Sequence, residues 1–425
     1  MPDQPTNPSG TSTSPPPSLR RSLTLTHATL YGLGVTVGAG IYVLIGAVAA
    51  RSGMHAPLAF VIAALLMGTS AASFAELGSR MPVSAGEAAF ARAAFSTEWI
   101  SLAVGLTVIA IATVSAAALS VGSAGYIRVF IDVPAPIIVA AVILVMGAIA
   151  ARGIVQSITF AGAMTLIEIG GLLLIVFAGL WSSPEMTARV PEIVPPIADK
   201  AAFLGIAGAS LLAVFAFIGF EGLVNVAEEM EDPKRTLPLA ILLTLVITTL
   251  LYILVVWVAL VSVGPDVLAQ SGAPLAVVFE RLTGLSPATM SAVAIIATLN
   301  GIIVQMIMSS RVLYGLSAQK SLPSLLSHIS PHTHTPIYAT MLAVAMVLAF
   351  ALLLPLEHLA DLTSRLAILL FAVVNLALMR IKAREKTPPV GIYIAPKWLP
   401  RTAFVCCLVL LAMDIVRFIV PSVAP

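Results

Sequence analysis

Eleven stretches of this chain are apolar over the length a helix needs to cross a bilayer. They lie near residues 26–50, 57–79, 96–127, 135–152, 157–181, 201–229, 238–262, 286–318, 336–355, 359–382 and 401–420. About 20 consecutive apolar residues span the hydrocarbon layer as a helix. Lipid cannot satisfy backbone N–H and C=O groups, so only helices and closed barrels persist there. Runs of this length predict helices. Of 425 residues, 59% are hydrophobic and 10% are charged, against about 25% charged in soluble domains. A net charge of +2 gives no basic nucleic-acid surface.

Two of the eleven runs carry their own interruption. In Thr26–Ala50 the middle is Thr36, Val37, Gly38, Ala39 and Gly40; in Ala201–Met230 it is Ile218, Gly219, Phe220, Glu221 and Gly222. Glycine weakens a helix and lets backbones approach closely. A break at mid-membrane must face protein or a polar cavity. Its free N–H groups at the start of the second half-helix attract an anion, and its free carbonyls accept from a cation. Together they suit a zwitterion. Two such segments, each opening one half of the chain, point to a transporter's substrate site. The plainer alternative is that the glycines only let helices pack closely.

The expected fold is all-α and polytopic, a 5+5 inverted repeat with discontinuous first and sixth helices and one extra C-terminal helix. Five spans per half invert the second half relative to the first. The divisions are a disordered tail over 1–22, repeats over 23–200 and 201–383, and a linker with a peripheral helix over 384–425. The Pro-, Ser- and Thr-rich tail lacks the short apolar region of a cleaved signal. Of 22 Lys and Arg, Arg365 and Arg417 fall within spans and Arg51, Arg128, Arg189, Lys200 and Arg281 fall in loops of one side, leaving fifteen for the other. The basic excess places the N-terminus in the cytosol and an odd span count places Pro425 outside. Cys406 and Cys407 are adjacent in an apolar run and read as core thiols.

Several motifs in order resemble one family. GLGVTVGAGIYVLIG (Gly32 to Gly46) resembles the first helix of the amino acid–polyamine–organocation transporters. FAELGSRMPVSAGEAAFARAAF (Phe74 to Phe95) is similar to their second-to-third helix connection, and FAFIGFEGLVNVAEEMEDPKRTLPLAI (Phe215 to Ile241) to their sixth helix and its loop. SSRVLYGLSAQKSLP (Ser309 to Pro323) and LTSRLAILLFAVVNLALMR (Leu362 to Arg380) resemble the eighth and tenth. The resemblance implies the leucine-transporter fold and alternating access. It also implies a substrate carboxylate held by the first break and an amino group held by carbonyls of both. Where several proton-coupled members carry a lysine in the fifth helix, this chain has Glu168, so lysine-based coupling does not carry over.

An ionisable residue in mid-span faces a cavity or a partner. Glu168 is therefore the coupling candidate, its alternative a permanently protonated acid bonded to another helix. Glu221 either caps backbone N–H groups of the second break or accepts from a substrate amine, the cap being preferred. Phe215 is the preferred aromatic gate, and packing is at least as good a role for Phe220. Ser115, Asn225, Thr298 and Asn300 are polar groups expected to border the cavity. Asp361 and Arg365 have i,i+4 spacing and Asp414 and Arg417 have i,i+3 spacing, which predicts two local pairs; Arg365 alternatively attracts anionic side chains. Arg80, Glu228, Glu229, Asp232, Lys234, Arg235 and Arg311 crowd one cytosolic face as candidates for a salt-bridge gate. His332 and His334 lack the further ligands of a metal site.

The expected activity is secondary transport of amino acids across the cytoplasmic membrane. A polyamine or amine carrier would want more cavity carboxylates than Glu168 and Glu221. No HExxH, GxSxG or GxxxxGK[ST] motif supports a membrane enzyme or an ATP-driven pump. Paired breaks suit occlusion of a solute better than the open pore of a channel. No cofactor is expected; a proton is the favoured coupling ion, sodium remains open, and so does the oligomeric state.

Overall fold

The computed structural model describes residues 23–82, 86–152, 158–182 and 186–419. The expected tail over 1–22 and the chain end at Pro425 lie outside them. Among the described residues the chain is helical, its one β contact an isolated bridge between Leu23 and Met230.

The helices are α1 (Leu25–Thr36), α2 (Gly38–Ser52), α3 (Ala56–Arg80), α4 (Gly86–Phe95), α5 (Glu98–Ile127), α6 (Ala135–Ala151), α7 (Ile158–Ser182), α8 (Lys200–Phe217), α9 (Gly222–Asn225), α10 (Pro233–Val263), α11 (Pro265–Gln270), α12 (Pro274–Thr283), α13 (Ala288–Ala318), α14 (Ile337–Leu353), α15 (Leu356–Arg384) and α16 (Trp398–Ile419). Among the described residues, eight helical segments are long and apolar enough to cross a membrane, with Gly40–Arg80 counted as one; α6 and α14 are shorter apolar helices.

Local chemistry sets the ends. The Asp199 carboxylate accepts from the Ala202 N–H at 2.9 Å and caps α8, answering one of the donors every helix start leaves open. Pro233 opens α10, where its missing N–H removes no helical bond. Gly284 closes α12 in the left-handed region at φ 68°.

α1 packs on α10 and α7, α2 and α3 pack on α8, and α3 packs on α10, so these helices enclose both interrupted runs; the long α5 and α13 pack on each other. α15 is tied to α3 at mid-length. The Ser73 hydroxyl donates to Asn375 Oδ1 at 2.6 Å, and Asn375 Nδ2 donates to Ser70 Oγ at 3.0 Å. α16 rests on α15 and α3 and turns most of its surface outward.

The first interruption is narrower than the sequence suggests. Only Val37 leaves the helix assignment, and its φ of −72° and ψ of −29° are themselves helical. Gly38 and Gly40 therefore start α2 instead of unwinding, because their lack of a side chain is used for contact. A β-carbon on Gly40 would stand 2.6 Å from the Ala216 α-carbon.

Candidate functional site

The second interruption is a sharp one. α8 stops at Phe217, Ile218 is extended (ψ 131°), and Gly219 has φ +135°, a region open to glycine and strained for other residues. Gly219 also touches the first break directly: a β-carbon there would lie 2.7 Å from the Val35 carbonyl oxygen. The two breaks thus meet backbone to backbone, at Gly40 with Ala216 and at Gly219 with Val35. The Glu221 carboxylate accepts from the Gly219 N–H at 2.9 Å, so it closes the loop of its own break.

Interrupting a helix orphans carbonyls, and buried carbonyls need donors. One side chain serves both breaks. The Tyr252 hydroxyl, from α10, lies 2.8 Å from the Thr36 carbonyl, 3.0 Å from that of Ala216 and 3.3 Å from that of Val37. The Tyr252 hydroxyl thus stands over carbonyls of both breaks, on which it competes with any other donor.

A cavity opens on the other side of the meeting point. The first break contributes Gly34, Val35, Thr36 and Gly40; α5 contributes Ser115 and Leu119; Phe215 and Ile218 come from the second break; α13 contributes Asn300, Gly301, Val304 and Gln305. Of the residues expected from sequence, Thr36, Gly40, Ser115, Phe215, Ile218 and Asn300 line it. Val37, Gly38, Gly219, Phe220, Glu221 and Gly222 belong to the breaks without lining it, and the Ala39 side chain lies outside the described residues. Phe220 instead joins an aromatic cluster, its ring centroid 5.7 Å from that of Phe74 and 5.6 Å from that of Phe371. Thr298 bonds back to the Ala294 carbonyl of its own helix, and Asn225 accepts from the Gly86 N–H.

The residues missed from sequence lie near those found along the same helices. Leu119 is one turn from Ser115 and Val304 one turn from Asn300, Gly301 and Gln305 are one turn from each other on the adjoining strip of α13, and Gly34 and Val35 directly precede Thr36.

Of nine buried side-chain oxygens without a hydrogen-bond partner among the described residues, four lie at or beside this cavity: Thr36 Oγ1, Asn300 Oδ1, Gln305 Oε1 and Glu168 Oε2. Buried polar atoms are nearly always paired, so the cluster marks where a polar ligand or water belongs. Glu168 is fully buried. Its Oε1 accepts from Asn300 Nδ2 at 3.3 Å, its backbone carbonyl accepts from the Tyr42 hydroxyl at 2.7 Å, and a β-carbon on Gly38 would lie 3.5 Å from its Oε2. No Lys or Arg among the described residues forms an ion pair with it.

Two guanidinium groups, those of Arg51 and Arg365, pair between helices. Arg51, at the far end of α2, forks onto Asp361 of α15 at 3.0 and 2.9 Å and donates to the Gly208 carbonyl of α8. Arg365 forks onto Asp414 of α16 at 2.6 and 3.1 Å. The expected Asp361–Arg365 pair is corrected: a neighbouring helix offers Arg51 and Arg365 each a two-point fork, the stronger geometry for a guanidinium, while the expected Asp414–Arg417 pair falls on a side chain outside the described residues. Arg80 is bonded to Glu76 and Glu385, and Lys382 lies 2.7 Å from Glu76. Asp232, Lys234, Arg235 and Arg311 are exposed, and Arg80 is not joined to them. Glu229 instead holds the segment before α1, its carbonyl accepting from the Leu23 N–H at 2.9 Å; Glu228 sits beside it in the same 3-10 turn.

Among the described residues no group of three or more His, Cys, Asp or Glu could hold a metal ion, and His332 and His334 lie in the loop before α14.

A family model described as amino acid permease matches residues 23–425. The chain is 29% identical to an uncharacterized transporter of Mycobacterium tuberculosis over 88% of its own length and 83% of that protein. It is 27% identical to a branched-chain amino acid permease of Bacillus subtilis, covering 95% of this chain and 91% of the relative. Its identity to the vacuolar cationic amino acid transporter 2 of Arabidopsis thaliana is also 27%, over 86% of this chain and 60% of that one.

Proposed function

The chain belongs to the amino acid permease family, and from that premise we propose that it carries neutral, apolar amino acids across the cytoplasmic membrane by alternating access. The cluster of unpaired oxygens around the cavity between the breaks carries this reading. The substrate carboxylate meets the backbone at the start of α2, where the helix dipole favours an anion. The ammonium group meets the free oxygens of Asn300 and Gln305. The side chain lies against Val35, Leu119, Phe215, Ile218 and Val304.

No charged side chain lines the cavity, which disfavours cationic and anionic substrates. The branched-chain relative therefore fits better than the cationic ones. In the 5+5 arrangement we assign, α1 to α7 and α8 to α15 form inverted repeats, α16 is peripheral, and the N-terminus is cytosolic. Glu168 is the coupling group: a buried carboxyl without a cationic partner changes charge by exchanging a proton, and its Asn300 bond reports that change to the cavity.

A thermal-shift screen of the purified protein against the twenty amino acids tests the substrate class. A ligand at a hundred times its Kd stabilises by about 2.7 kcal/mol. Leucine, isoleucine, valine and their neighbours are expected to raise Tm; a rise confined to lysine and arginine contradicts the assignment.

A further inference from the structure

We propose that Tyr252 is the positioning residue that holds the two breaks as one unit. The inference extends the transport reading to how the substrate-facing backbone keeps its shape, but its geometry stands on the fold alone. In a continuous helix the Thr36 carbonyl would accept from the amide four residues on, at Gly40, and the Ala216 carbonyl from that of Phe220. The break at Val37 and the turn at Ile218–Gly219 remove those donors. The Tyr252 hydroxyl stands within hydrogen-bond distance of both carbonyls, and of Val37 as well.

The hydroxyl has one proton to share among three acceptors on two different segments. If either break shifts, the shared donor loses part of its partner set, so the two are coupled through a single side chain. The ring is fixed independently of the hydroxyl. It is fully buried, edge-on to Phe217 at 5.4 Å and to Phe60 of α3 at 5.7 Å. Tyr252 does not line the cavity. It acts from behind through Thr36, whose side chain does.

Tyr126 supplies the control. Its hydroxyl also donates to a buried backbone carbonyl, that of Tyr42 at 2.6 Å, but within α2 and away from either break. Tyr126→Phe therefore reproduces the loss of one buried hydroxyl bond without unpinning anything.

The test compares Tyr252→Phe with Tyr126→Phe in two measurements on the purified full chain. Amide hydrogen exchange is expected to accelerate about tenfold in Tyr252→Phe at 36–40 and 218–222 together, the scale of one hydrogen bond, and to stay within about twofold at both places in Tyr126→Phe. In proteoliposomes the KM for L-leucine is expected to rise about tenfold in Tyr252→Phe, with Vmax nearly unchanged, and not in Tyr126→Phe. Acceleration in one break only, in neither, or equally in both variants overturns the proposal. If the wild type takes up no leucine, the transport reading fails while the exchange result still decides the role of Tyr252.

Discussion

Gly219 sits against Val35 so closely that a β-carbon on it would lie 2.7 Å from the Val35 carbonyl oxygen. Its φ of +135° excludes side chains for a second, independent reason. Gly219→Ala must therefore push the two breaks apart or reshape the turn, and uptake is expected to fall more than tenfold. Gly222, three residues on, has its nearest neighbour at 4.0 Å and helical surroundings. Gly222→Ala is expected to leave initial uptake rates within about twofold, since alanine favours a helix by about 1 kcal/mol over glycine.

Glu168→Gln removes the exchangeable charge while keeping a group that can bond to Asn300. If Glu168 couples transport to protons, uptake rates measured between pH 5 and 8 lose their pH dependence in this variant, and an imposed pH gradient no longer drives accumulation. Counterflow between equal-pH compartments is expected to persist.

The Arg51–Asp361 fork joins the ends of α2 and α15, and Arg51 also holds the α8 backbone. In the proposed topology this is the outer closure. Breaking one partner of a fully buried pair costs about 3–5 kcal/mol; this fork is part-buried and Arg51 also has Glu357 at 3.6 Å, so the cost is smaller. Arg51→Gln is expected to lower Tm. In a background lacking Cys406 and Cys407, it should also speed labelling of Ile218→Cys by an impermeant thiol reagent added from outside. The double variant Arg51→Asp with Asp361→Arg should recover part of both effects.

Glu76 is fully buried and accepts from Arg80 at 2.5 Å and from the Ala395 N–H at 2.8 Å, with Lys382 at 2.7 Å. It joins α3, α15 and the segment before α16. Glu76→Leu leaves Lys382 without its anion and Arg80 with Glu385 alone, so its Tm is expected to fall further than that of Lys382→Met, which still leaves Arg80 on the carboxylate.

Helix positions were legible from apolar length because lipid admits few alternatives to a helix. The cavity was half legible. Polar and aromatic residues at the breaks, such as Thr36, Phe215 and Asn300, stand out in apolar runs, whereas Val304 and Leu119 look like any lipid-facing residue until the helix is rotated into place. Phe220 shows the limit: its backbone lies in the break as expected, but the reversal at Gly219 sends its ring into the Phe74–Phe371 cluster. The ion pairs were illegible for the same reason. Spacing along one helix predicts local partners, and the forks of Arg51 and Arg365 form between helices hundreds or tens of residues apart in the chain. Tyr252 carries no sequence signal, since a tyrosine in an apolar helix is unremarkable until the carbonyls around its hydroxyl are known.

The most direct test of the central claim is counterflow. Purified protein in liposomes loaded with unlabelled L-leucine, and then diluted into labelled L-leucine, is expected to show a transient, saturable accumulation of label that Gly219→Ala abolishes. Equilibration without accumulation, or accumulation that survives Gly219→Ala intact, would contradict a substrate site formed where the two breaks meet.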